Sequence, residues 1–116
     1  MTIGDIKTLL GATVLGECCE LDKEVRAACG SDMMSDVLAF VKDQAVLLTG
    51  LVNPQVIRTA QMMDMVCIVF VRGKVPSEQM TLLANEGGIT LLSTHFRMFK
   101  ACGVLFENGL HGGSDV

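Results

Sequence analysis

The segment Ala45–Asp64, "AVLLTGLVNPQVIRTAQMMD", decides the fold, because an apolar run is followed by a glycine turn and then by a helical pattern. The run "AVLLT" has the length and composition of a buried strand. Asn53 and Pro54 suit the cap and the first position of a helix. We expect Val56, Ile57, Ala60 and Met63 on its inner face, and Arg58, Thr59 and Gln61 on its outer face. The segment therefore predicts a buried strand that leads directly into an amphipathic helix.

The same order of strand and helix recurs twice downstream. The run "MVCIVFV" (65–71) precedes the turn "RGKVP" and a helix in "SEQMTLLANEG" (77–87). The run "ITLLS" (89–93) precedes a helix predicted to start at His95 and to close at Gly109. Nearly continuous apolar strands that alternate with helices are typical of a parallel sheet covered on its faces. Right-handed crossovers then bring the turns after all three strands to one edge of the sheet.

The first 44 residues are less regular. Thr2 is a candidate cap for a first helix, with Gly11 as its end. Its inner residues should be Ile3, Ile6, Leu9 and Leu10. The segments "TVLG" (13–16) and "EVRAAC" (24–29) are predicted as short strands on either side of an acidic turn. A mainly parallel three-layer α/β domain with helices on both faces is thus expected over residues 1–110, with a flexible tail at 111–116.

A short helix is predicted in "SDMMSDVLAFVKD" (31–43), capped by Ser31 or Ser35. We expect Val37, Leu38 and Val41 to face inward. Asp32 and Asp36 stand four residues apart, so they could share one helix face. We interpret them as acids that complement the helix dipole, with contact to a cation or a partner as the alternative.

Charge and composition exclude two classes of partner. The net charge is −4, the nine basic residues are scattered, and Trp and Tyr are absent, which argues against nucleic-acid binding. No apolar run reaches the roughly 18 to 20 residues that span a membrane. Asp5 and Lys7 interrupt the N-terminal segment where an export signal would be continuous. The expected location is the cytoplasm.

The five cysteines favour free thiols over a disulfide framework. Cys18 and Cys19 are adjacent, which does not match the spacing of zinc ligands. Cys67 and Cys102 lie in apolar segments, where a thiol behaves as a small hydrophobe. We expect neither a metal nor a cofactor.

The last helix carries two apolar stripes. One contains Phe96, Phe99, Gly103 and Phe106, and the other contains Met98, Cys102 and Leu105. A helix that is apolar on two sides in a small domain has to cover something besides its own sheet. The pattern favours a homodimer contact, and deep burial within one chain is the alternative.

The segments "SDMMSDVLAFV" (31–41), 45–93 and the closing "F...G.LFENGL" (99–110) resemble the DRTGG domain, and the chain is also similar to the amino-terminal domain of bifunctional HPr kinase/phosphorylase. The glycine motifs differ from those of the family. "GLVN" (50–53) lacks the Asp-Arg pair, and "VRGK" (71–74) has one glycine and Arg72 in place of Thr. The resemblance implies a bacterial regulatory module that stands alone or accompanies CBS pairs. No kinase activity is implied, because the chain has no kinase domain.

The turns at the shared strand edge contain neither of the common phosphate-binding signatures. Between Thr49 and Thr59 there is one glycine and no lysine, so neither G-x-x-x-x-G-K-[ST] nor G-x-G-x-x-G is present. The polar residues of the three turns nevertheless outline a candidate ligand site: Thr49, Gly50, Asn53, Arg72, Gly73, Lys74, Ser93, Thr94 and His95. The alternative is that they are ordinary solvated turn residues.

The sequence shows no base, nucleophile and anion cradle in one place, so we expect no enzymatic activity. The predicted function is a regulatory or interaction module that binds a partner protein or senses a small anionic ligand or a nucleotide. The competing hypothesis is a phosphoryl-transfer-related enzyme or an accessory subunit of a redox or hydrogenase system.

Overall fold

The computed structural model describes residues 1–17, 20–40 and 42–113 of the chain. Helices and strands alternate along most of its length. In chain order they are α1 Ile3–Leu9, β1 Thr13–Leu15, β2 Ala27–Gly30, α2 Met34–Leu38, β3 Ala45–Thr49, α3 Pro54–Met62, β4 Cys67–Phe70, α4 Glu78–Gly87, β5 Thr90–Ser93 and α5 Met98–Glu107. No helix in the described ranges is long and apolar enough to cross a bilayer.

The strands form one sheet in the order β1-β5-β4-β3-β2. The strands β2 to β5 run parallel to one another, and β1 pairs antiparallel with β5 at the edge. Thr49 is in register with Phe70, and Phe70 with Ser93. The carboxyl ends of β3, β4 and β5 therefore meet at one edge, which confirms the predicted α/β fold and the shared position of the three turns.

Helices cover both faces of the sheet and produce two apolar cores. One core packs α1 and α5 against residues such as Val46 and Leu48. The other packs α2, α3 and α4 against the opposite face, which includes Leu47 and Ile68. Every residue of β3 and β4 is buried, because neither face of these two strands meets water. This is the predicted three-layer arrangement.

Side-chain caps define the starts of three helices. At α1, the Asp5 amide donates to Thr2 Oγ1 at 3.1 Å and the Thr2 amide donates to Asp5 Oδ2 at 2.9 Å. Asn53 Oδ1 accepts from the Gln55 amide at 2.9 Å, and Ser77 Oγ accepts from the Met80 amide at 3.3 Å. The predicted caps Thr2 and Asn53 are thus confirmed.

Two of the predicted side-chain orientations are wrong. Thr59 is fully buried although it was expected outside, because α3 packs between α2 and α4 and so buries more than one stripe. Leu38 is 48% exposed although it was expected inside. The helix α2 ends at Leu38 after only five residues, and Val37 is its one buried residue. The expected inward position of Val41 lies outside the described residues.

Two predicted helix starts are also wrong. The cap of α2 is Met33, with no side-chain bond, and Ser31 Oγ accepts from the Met33 amide at 3.0 Å in the preceding turn. Helix α5 begins at Met98, three residues after His95. The carbonyls of Thr94 and Phe96 accept from the amides of Gly73 and Arg72 at 2.8 Å. In a helix that began at His95 those carbonyls would accept from the next helical turn, whereas here they bond to the turn after β4 and the helix begins later.

Replacing Asn53 by Ala should lower the free energy of unfolding by about 1 kcal/mol, because the Gln55 amide loses its acceptor at the start of α3. Urea unfolding of the two proteins would measure the difference. Glu86→Ala, at an exposed position of α4, is the control and should unfold like the parent. Equal stability of Asn53→Ala and the parent would contradict the capping role.

The hydrogen bonds from the Thr2 amide and hydroxyl hold the pKa of Asp5 below its ordinary value. The folded state therefore gains stability from the Asp5 carboxylate above that ordinary pKa, and loses it as the pH falls through the lowered folded value. Asp5→Asn should melt below the parent at neutral pH, and the gap should close in acid. Thermal unfolding from about pH 7 to about pH 2 would test this. Asp22→Asn, on an exposed turn, separates this effect from the general loss of one negative charge.

Candidate functional site

A cavity of about 640 Å³ opens where the loops after β2, β4 and β5 meet, at the carboxyl ends of the parallel strands. Ligands of open α/β sheets bind at this edge. The cavity combines cationic, acidic and apolar side chains. It is lined by Asp32, Val71, Arg72, His95, Arg97, Met98 and Phe99.

The turn after β4 holds Arg72 in an unusual backbone conformation. Arg72 has φ +59° and Gly73 has φ +69°, both in the left-handed region. For a residue with a side chain this region costs roughly 1–2 kcal/mol. The bonds from the Arg72 amide to the Phe96 carbonyl and from the Gly73 amide to the Thr94 carbonyl hold the turn in place. Strained residues that are held this firmly are frequent at binding sites.

Two glycines allow the loops to approach one another closely. A Cβ on Gly50 would collide with the Arg72 guanidinium, so the arginine side chain lies directly against the backbone at the end of β3. A Cβ on Gly73 would lie 3.2 Å from His95 Nδ1. Glycine at these two positions therefore places Arg72 and His95 at the mouth of the cavity.

Asp32 joins the loop after β2 to the end of β3. Its Oδ1 accepts from the Gly50 amide at 2.6 Å and from Thr49 Oγ1 at 3.2 Å. Asp32 therefore does not cap α2, because its carboxylate bonds to a neighbouring strand end instead. It contributes one negative charge to a cavity that also contains two arginines.

The start of α5 forms another wall of the cavity. Arg97 is the N-cap residue, and no side chain caps this end. The first amides of a helix have no partner within it and carry a partial positive charge. The ion pairs found in the described ranges are Met1–Glu24 and Lys23–Glu20, so neither Arg72 nor Arg97 is neutralised by a salt bridge. Two guanidinium groups with no ion pair among the described residues, beside an uncapped helix start, can bind an anion.

The structure separates the nine predicted site residues into two groups of four, with Lys74 outside both. Four side chains make internal hydrogen bonds. Thr49 donates to Asp32, Asn53 caps α3, Ser93 Oγ donates to the Lys74 carbonyl at 2.8 Å, and the buried Thr94 Oγ1 donates to the Leu10 carbonyl at 2.7 Å. Gly50, Arg72, Gly73 and His95 lie at or beside the cavity. Lys74 is exposed on the same turn but does not line the cavity.

Sequence reasoning did not include Asp32, Arg97 or Phe99 in the site. Asp32 follows β2 by two residues, and β2 is parallel to β3. Turns that follow parallel strands lie at one edge of the sheet. Asp32 would have been included in the site had β2 been predicted as part of the parallel sheet. Arg97 was predicted within a helix that begins later than expected, and Phe99 was predicted in the apolar stripe of that helix as a dimer contact. Their position depends on loop hydrogen bonds that leave no local pattern.

Of the three cysteines that the structure describes, Cys67 is buried, and Cys29 and Cys102 are half-buried. Burial raises the pKa of Cys29, with smaller effects from Cys102 and Asp36, and burial also raises the pKa of Cys102. A raised pKa keeps a thiol protonated and makes it a weak nucleophile and metal ligand. No group of three metal-binding side chains occurs in the described part of the chain. Cys18 and Cys19 lie outside it.

No protein-family model matches the chain, and no curated protein matches it. A solved structure of the CBS and DRTGG domains of the regulatory region of Clostridium perfringens pyrophosphatase is similar, with a TM-score of 0.71 over 90% of this chain. The chain has a DRTGG-like fold. The sequence identity is 16%, and the chain spans 45% of that neighbour. That neighbour is described as complexed with an activator, diadenosine tetraphosphate.

Replacing Asp32 by Ala should lower the free energy of unfolding by about 1 kcal/mol or more, because the Gly50 amide and the Thr49 hydroxyl lose a charged acceptor. Asp36→Ala removes the same charge from the exposed first turn of α2 and should change stability much less. Urea unfolding of both variants would measure the difference. Equal losses would show that Asp32 does not connect the loops.

Proposed function

We propose that this chain is a non-enzymatic regulatory module that senses a small phosphate-bearing ligand in the cavity at the carboxyl ends of its parallel strands. The observation that carries the proposal is the convergence of Arg72, Arg97 and the uncapped start of α5 on one cavity. Guanidinium groups bind phosphate through paired hydrogen bonds, and helix amides add donors without adding a mobile side chain.

The other residues of the cavity restrict the class of ligand. Asp32 places a carboxylate near the two arginines, so a ligand that fits should carry a hydrogen-bond donor as well as an anionic group. Met98 and Phe99 add apolar surface beside the charges, which suits a flat aromatic ring. A nucleotide combines phosphate, hydroxyl donors and an aromatic base.

The structural neighbour supports a regulatory role for this fold, since it is a regulatory region complexed with a nucleotide activator. We extend that role to this chain and propose that it acts in the bacterial cytoplasm, where nucleotides are available. A change in the cavity would be transmitted through Arg72 and the loop that precedes α5, because hydrogen bonds join these two segments. A partner protein would then recognise the changed conformation of these loops.

Binding of inorganic phosphate, AMP, ATP and diadenosine tetraphosphate can be compared by calorimetry and by thermal shift. At least one nucleotide should bind and raise the melting temperature. Arg72→Ala and Arg97→Ala should each weaken its affinity about tenfold or more, since a charge-assisted hydrogen bond contributes about 1.5 kcal/mol or more. Lys74→Ala is the matched control, because it removes a positive charge from the same turn at a residue that does not line the cavity.

Two results would contradict the proposal. One is that none of these compounds binds. The other is an equal loss of affinity in Lys74→Ala and Arg72→Ala, which would indicate general attraction by positive charge. Chromatography of the recovered nucleotide separates sensing from catalysis: an intact ligand supports a sensor, and conversion would support the alternative phosphoryl-transfer enzyme.

A further inference from the structure

An exposed apolar stripe runs along the outer side of α5. Phe99 is 93% exposed and Phe106 is 58% exposed, and Gly103 lies between them. The three residues are spaced by four and three positions, so they share one helix face. The opposite side of the helix carries Ala101 and Leu105, which are fully buried in the core. The predicted alternative of deep burial within one chain does not hold for this stripe.

The centre of the stripe is open to another backbone. No atom lies within 4 Å of a Cβ built on Gly103, so the helix axis can be approached closely there. Phe106 is held by a stack with the His111 ring, with 4.4 Å between the ring centroids. The amide of Ala28 donates to the His111 carbonyl at 2.8 Å, which fixes the start of the segment expected to be a flexible tail.

The charges of α5 oppose its own dipole. Arg97 and Lys100 lie at its beginning, where anions are favoured, and Glu107 is its last residue, where cations are favoured. Lys100 and Glu107 are seven positions apart, and so are Phe99 and Phe106. Two helical turns span about seven residues. The two charges therefore lie on one flank of the stripe, with the positive charge at one end and the negative charge at the other.

We infer that α5 pairs antiparallel with α5 of a second copy of this chain, about a twofold axis near Gly103. This inference goes beyond the proposed function and does not depend on it. The twofold axis places Phe99 of each copy opposite Phe106 of the other, because their midpoint lies beside Gly103. The axis also keeps the charged flank on the same side in both copies. Lys100 of each copy therefore lies beside Glu107 of the other, which gives two such pairs per dimer.

We expect a second copy of this chain to cover the stripe, because the surface of α5 is complementary to itself. An antiparallel helix places an acidic end beside each basic end and opposes the two helix dipoles. Phe99 belongs both to the stripe and to the lining of the cavity. The second copy therefore covers one rim of each cavity, and the two cavities of the dimer lie near the ends of the helix pair.

A ten-residue helix is about 15 Å long. The pair is therefore a small contact, and we expect a dissociation constant in the micromolar range. Sedimentation equilibrium of the full chain from about 1 µM to about 500 µM would measure it. Phe99→Asp should abolish the dimer, and circular dichroism should show a folded monomer since the side chain is 93% exposed. Val75→Asp, at another exposed apolar side chain, should dimerise like the parent.

Charge reversal tests the antiparallel register itself. Lys100→Glu and Glu107→Lys should each weaken the dimer about tenfold, because each single change makes two repelling pairs per dimer. The double variant restores both pairs and should regain the affinity of the parent. A parent that is monomeric throughout, or a double variant as weak as the single ones, would overturn the inference.

Discussion

The parallel alignment of β3, β4 and β5 is the constraint on which the rest of the structure depends. It brings loops that are distant in sequence to one edge, and hydrogen bonds then join them. Asp32 binds the end of β3, and the turn at Arg72 binds the loop before α5. Each of these bonds satisfies a backbone group that no helix or strand satisfies, so the geometry of the cavity follows from the backbone requirements of the fold.

The core elements were predictable because their residues are determined by burial. Strands β3 and β4 are buried on both faces and therefore read as continuous apolar runs. The caps Thr2 and Asn53 were predictable because the acceptor and the amide are close in sequence. The burial of Thr59 and the start of α5 were not predictable, because each depends on contacts with another element. Of the candidate site, Arg72 and His95 could be anticipated from strand ends. Asp32 required the placement of β2 in the parallel sheet, and Arg97 required the loop hydrogen bonds that precede α5.

The polar residues near the strand ends fall into two groups. Thr49, Ser93 and Thr94 satisfy internal hydrogen bonds that hold the loops. Thr49 and Thr94 are buried. A buried hydroxyl without a partner costs about 1–3 kcal/mol, so these two side chains cannot bind a ligand without a loss elsewhere. Arg72 and Arg97 are outside that set, since neither guanidinium forms an ion pair within the part of the chain that the structure describes. The presence of polar residues at the carboxyl edge of the sheet is thus weak evidence for a binding site until their internal hydrogen bonds are known.

Helix α5 combines features that a single chain leaves unfavourable. Its charges oppose its dipole, which costs a few tenths of a kcal/mol to about 1 kcal/mol for each charge. Its start lacks a side-chain cap, and its outer face exposes Phe99 and Phe106. A cavity anion would complement the start of the helix, and an antiparallel copy would cover its face and balance its charges. Since Phe99 belongs to both surfaces, the proposed ligand and the proposed second copy would each alter the surroundings of the other.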